Sequence, residues 1–66
     1  MGGVVKWYNG EKGFGFINAD DGGKDVFVHV SALQRSNLVG LDPDQKIRMK
    51  VIDGAKGREA VELSRA

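Results

Sequence analysis

The chain has no cysteine, one histidine and one proline among 66 residues. No disulfide can form, and a lone histidine cannot assemble a structural zinc site. Small domains often depend on such staples, so this one must be held by its core alone. A chain this short buries roughly 60% of the surface it exposes unfolded, so marginal stability is expected. There is room for a single domain, residues 1–66. The missing cysteine also fits a reducing interior. No stretch approaches the roughly 18 apolar residues of a membrane-crossing helix. Residues 1–6 carry no apolar leader core, and Lys6 stands where a myristoylation motif wants Ser or Thr. A cytoplasmic protein with no membrane partner is expected.

Charge of one sign is also scarce. The net charge is +1, too small for binding driven by bulk electrostatics. Lys6 and Lys12 oppose Glu11 early in the chain. Asp20, Asp21 and Asp25 surround Lys24, and Lys56, Arg58 and Arg65 alternate with Glu59 and Glu62 near the end. No block of like charge marks a polyelectrolyte tail.

What the chain has in excess is glycine, ten residues, about twice the usual share of roughly 7%. The glycines punctuate five segments rich in β-branched and aromatic residues: 4–8, 13–18, 25–30, 46–52 and 59–63. Asn9-Gly10, Asp20-Asp21-Gly22-Gly23 and Asp53-Gly54 supply turn chemistry between them. The pattern predicts an all-β fold, a sandwich or barrel of antiparallel strands. Helical signal is confined to Ser31–Gln34, which has the spacing of a capping box. Gly40 and Pro43 limit any helix there to a turn or two.

Strand alternation sorts the side chains. Gly13, Gly15 and Ile17 share one face of the second segment, and Lys12, Phe14, Phe16 and Asn18 the other. In the third, Val26, Val28 and Val30 oppose Phe27 and His29. Aromatic alternation is more often packing than function. Here that choice would leave Ile17, Val26 and Val28 in water and put Lys12 and His29 in the core without partners. Gly13 and Gly15 also leave the Phe14 ring unshielded. The aliphatic side is therefore the predicted core, and the rings form an outward patch edged by charge, as interaction sites do. Rings at two-residue spacing on adjacent strands make a platform for stacking bases, each stack worth roughly 1–3 kcal/mol.

Lys12-Gly13-Phe14-Gly15-Phe16-Ile17 resembles the first ribonucleoprotein motif, with Ile17 replacing Val and Ala19 where a final aromatic would stand. Val26-Phe27-Val28-His29-Val30 resembles the second. With Val5-Lys6-Trp7-Tyr8-Asn9 before them and Ser31-Ala32-Leu33 after, the whole chain resembles the bacterial cold-shock proteins. RNA-recognition-motif domains carry the two motifs in the opposite order and need two helices. The resemblance implies a five-stranded antiparallel barrel of the oligonucleotide-binding type. It implies sequence-tolerant binding of single-stranded RNA and DNA, and action as an RNA chaperone or antiterminator-like regulator in a stress response. Residue by residue, it implies stacking by Trp7, Phe14, Phe16, Phe27 and His29, with phosphate contacts from Lys6 and Lys12. Asp25 is a candidate for a base edge. Tyr8, standing where relatives hold Phe, is expected to be part core with its hydroxyl at solvent.

Some positions stay open. Strict alternation places Trp7 with Val5 in the core, whereas the resemblance places it on the binding face; a β-bulge would reconcile the two. Val30 and Leu38 stand where many relatives carry a ring, which predicts weaker binding; Leu38 packing on its loop is an equal alternative. Lys24, Lys46, Arg48 and Lys50 read most simply as a solvated face. Lys56 and Arg58 lie in a loop the family uses and are candidates for nucleic-acid contact.

Other functions fare worse. One histidine and no cysteine leave little nucleophilic chemistry, and Ser31 near His29 has no orienting acid. The acidic cluster lacks the twelve-residue pattern of a calcium loop and reads as turn-forming. Gly13-Phe14-Gly15 lacks the third glycine and helix of a nucleotide fingerprint. A non-enzymatic monomer without cofactor, metal or small-molecule substrate is expected. The rival reading is a protein-interaction barrel holding a peptide on the same rings.

Overall fold

In the computed structural model, which describes residues 1–66, the elements run β1 (Gly2–Asn9), β2 (Phe14–Ala19), β3 (Val26–His29), α1 (Val30–Arg35), β4 (Lys46–Gly54) and β5 (Gly57–Arg65). All five expected strands are present. The first two turn signals act locally: Asn9 Oδ1 accepts from the backbone of Glu11 and Lys12 at 3.0 and 3.1 Å, and Asp21 Oδ1 accepts from Gly23 at 2.8 Å. Both are side chains mimicking a backbone turn.

The strands close into a barrel in the order β1-β2-β3-β5-β4, with β4 returning to β1. The all-β barrel expected from the sequence is therefore observed, with one correction. Four pairings are antiparallel, but β3 and β5 run parallel, pairing Phe27 with Glu59 and Val28 with Ala60. A parallel seam needs a long crossover, and α1, the following loop and β4 provide it.

Inside lies a continuous core of Val5, Ile17, Val26, Val28, Leu33, Ile47 and smaller neighbours, with Val5, Ile17, Val26, Val28 and Ile47 fully buried. These are the inward positions of the alternation, so the aliphatic choice of core is correct for β2 and β3. Val30 is the exception. It begins α1 instead of ending β3, and half-buries its side chain. The expected Ser31 capping box is also corrected: His29 is the N-cap, its Nδ1 accepting from the Ser31 backbone N–H at 3.1 Å. At the other end, Asn37 takes φ 59. Leu38 N–H reaches the Leu33 carbonyl at 2.8 Å and Asn37 N–H the Gln34 carbonyl at 3.2 Å. That bond pair and the apolar contact of Leu38 with the core make a Schellman ending.

Candidate nucleic-acid interface

The outward face of β1, β2 and β3 is set by one irregularity. Val5 pairs with Ile17, both inward, but the next pair is Trp7 with Phe16. Lys6 is the extra residue of a β-bulge, and it reverses the phase of β1 so that Trp7 joins the phenylalanines outside. The two readings of Trp7 are reconciled in this way. Gly15 permits it: a Cβ there would lie 2.4 Å from the Trp7 carbonyl oxygen and 2.8 Å from Tyr8 Cα. The glycine is needed for close backbone approach between β1 and β2, beyond leaving Phe14 unshielded.

Four rings form one connected surface. Trp7 lies 5.4 Å from Phe14 and 5.5 Å from Phe16, centroid to centroid. Phe27 lies 6.0 Å from Phe14, nearly parallel at 26°, and 5.8 Å from Phe16 edge-on. Edge-to-face and offset contacts at these distances hold the rings in place without drawing them into the core. Trp7 is 41% exposed, the three phenylalanines are half-buried, and His29 beside them is exposed. His29 pairs across the strand with Phe14.

The expected flanking groups divide. Lys12 is exposed in the β1–β2 turn next to Phe14. Lys6 is exposed at the bulge but bonds Asp25 Oδ2 at 2.8 Å, so the expected phosphate contact and base-edge contact are paired with each other in the free protein. Lys56 holds its Nζ over the Phe27 ring, 5.2 Å from the centroid. Arg58 is engaged elsewhere: its two terminal nitrogens grip both oxygens of Asp21 at 2.9 and 3.2 Å. That fork raises the arginine further above its ordinary value and holds the Asp21 carboxyl below the usual carboxylate range, helped by the Gly23 N–H. Tyr8 is half-buried against the core. Val30 sits over Gly13, whose added Cβ would come 3.1 Å from Val30 Cγ1, and Leu38 is spent on the helix ending. Neither is part of the ring surface.

One extension escaped the sequence. Register carries the row Trp7–Phe16–Phe27 across the parallel seam to Glu59 and then to Ile52, which is 47% exposed. Only the β3–β5 pairing reveals this, and no local pattern announces it.

A small closed barrel with an outward aromatic face is the architecture of oligonucleotide-binding folds. The family model described as "'Cold-shock' DNA-binding domain" matches residues 1–66. The cold shock-like protein CspB of Escherichia coli K12 is 51% identical over 63 residues, covering 96% of this chain and 89% of that protein. CspG of the same strain is 46% identical over 63 residues, covering 96% and 90%. CspJ of Salmonella typhimurium SL1344 is 51% identical over 61 residues, covering 92% and 87%. The chain belongs to the cold-shock domain family.

Proposed function

We propose that this domain binds single-stranded RNA and DNA with little sequence preference. Successive bases stack on Trp7, Phe14, Phe16, Phe27 and His29. Lys6 and Lys12 meet phosphates at the edge, with Asp25 beside a base once Lys6 has released it. The observation that carries this is the connected set of four rings on the outside of three adjacent strands, above a core that needs none of them. Every base has a π-face, so such a platform tolerates sequence. A domain that binds only unstacked strands shifts weak hairpins toward their open form by mass action, with no catalysis and no nucleotide hydrolysis. This is the RNA-chaperone role, and an antiterminator-like effect on transcripts follows from it.

The test is Trp7 fluorescence during titration with a short pyrimidine-rich single strand and with a matched duplex. Strong quenching by the single strand alone is expected. Phe14→Ala should weaken that binding by about 1–3 kcal/mol while leaving the folded barrel intact. No response to either nucleic acid, together with competition by a peptide, would give the face to a protein partner instead.

A further inference from the structure

Phe27 is the ring of the platform over which a cation already lies. Lys56 places its ammonium 5.2 Å from the Phe27 centroid, within the range of a cation–π contact. Phe14 stacks near-parallel with Phe27 and Phe16 meets it edge-on, and Lys56 is the cation over that ring. Lys56 has no carboxylate partner: the two ion pairs of the molecule are Lys6 with Asp25 and Arg58 with Asp21.

Topology places it there. The parallel seam sets Glu59 beside Phe27, and β5 starts two residues earlier at Gly57, with φ 104. That left-handed value favours glycine and turns the chain so that Lys56, at the tip between β4 and β5, arches back across β3. We propose that Lys56 occupies the stacking face of Phe27 in the free protein and is an intramolecular competitor that an incoming base must displace. The proposal rests on the base-stacking function above and gives Lys56 a sign opposite to that of a simple phosphate contact. A phosphate contact strengthens binding, whereas a competitor weakens it by the strength of the contact that must be broken. For an exposed cation–π pair that is a factor of about two to five in affinity.

The two effects separate on a short oligothymidine whose backbone is uncharged methylphosphonate, compared with the ordinary phosphate strand. K56M keeps the length of the side chain and removes its charge at an exposed turn. It should bind the uncharged strand about two- to five-fold more tightly than wild type. In an F27L background the same substitution should change affinity by nothing measurable, which assigns the gain to this pair. In the free wild-type protein the Lys56 ε-methylene protons should resonate upfield, shifted by the ring, and should return to ordinary positions in the complex. Equal or weaker binding of the uncharged strand by K56M would overturn the proposal, as would an upfield shift that persists in the complex. If folded wild-type protein binds neither strand, or only the phosphate one, base stacking itself fails and the competitor fails with it. That outcome is recognisable because it appears before any substitution is made.

Discussion

At His29 the backbone N–H of Ser31 can only donate, so the Nδ1 it reaches at 3.1 Å is an acceptor and the neutral ring carries its hydrogen on Nε2. The Ser31 hydroxyl, 3.0 Å from the same nitrogen, then donates to it as well. One ring therefore begins α1 and stands beside Phe14, and two substitutions divide these roles. His29→Asn keeps a good N-cap acceptor, so stability by urea unfolding should hold within a few tenths of a kcal/mol, while affinity falls by about 1–3 kcal/mol as a stack is lost. His29→Ala should lose the affinity and, in addition, about 0.5–2 kcal/mol of stability. An asparagine variant that binds like wild type would remove His29 from the platform. Two further single residues serve the scaffold: Val30 covers Gly13 and Leu38 closes the helix.

Among the elements, the bulge in β1 has the largest consequence, because without Lys6 as an extra residue Trp7 would point inward with Val5. Its geometry depends on Gly15. A Cβ at 2.4 Å from a backbone oxygen cannot be absorbed by a side-chain rotation, so Gly15→Ala should cost about 3 kcal/mol or more, beyond ordinary overpacking. Thermal unfolding would measure this, and an alanine variant with unchanged Tm would mean that β1 and β2 are not held this closely. A second element-level device is the Arg58–Asp21 fork, which ties the start of β5 to the β2–β3 turn. Asp21 titrates below its ordinary value because the Arg58 guanidinium bonds its charged form. A lowered folded-state value means that the stabilisation is complete above the ordinary value of about 3.9 and is lost as pH falls through the lowered one. Asp21→Asn retains the turn acceptor for Gly23 but removes the charge. Urea unfolding should show the variant less stable than wild type at pH 7 and the gap narrowing below about pH 4. A gap independent of pH would mean that the ion pair contributes nothing.

For the molecule as a whole, the proposed function combined with a net charge of +1 and so few free cations near the rings predicts that stacking is the main source of affinity. If Lys6 and Lys12, with at most one other cation, neutralise phosphates, log affinity should fall against log salt with a slope of about −1.4 to −2.1, at roughly −0.7 per contact. A titration series in salt measures this directly. A slope steeper than about −4 would require several more phosphate contacts and would shift the binding surface toward the basic residues of β4. Core and platform are also separated at this scale. The rings contact one another outside the barrel, while the buried side chains are aliphatic, so ring substitutions should change binding more than folding.

From its sequence alone the chain determined the features that depend on near neighbours. Alternation at a spacing of two distinguished the aliphatic inside of β2 and β3 from their aromatic outside, because a strand cannot turn successive side chains the same way. Glycine and Asx positions marked the turns, because their backbone and side-chain chemistry acts within a few residues. Only the tertiary structure decided what depends on a partner strand or on reach through space. The bulge at Lys6 exists in register with β2, and the parallel seam that brings Glu59 to Phe27 follows from how the barrel closes. The ends of long side chains were settled in the same way: Lys56 on Phe27, Lys6 on Asp25 and Arg58 on Asp21. These partners lie 29, 19 and 37 positions apart in sequence, and nothing in a local pattern encodes a contact that only barrel closure brings within reach.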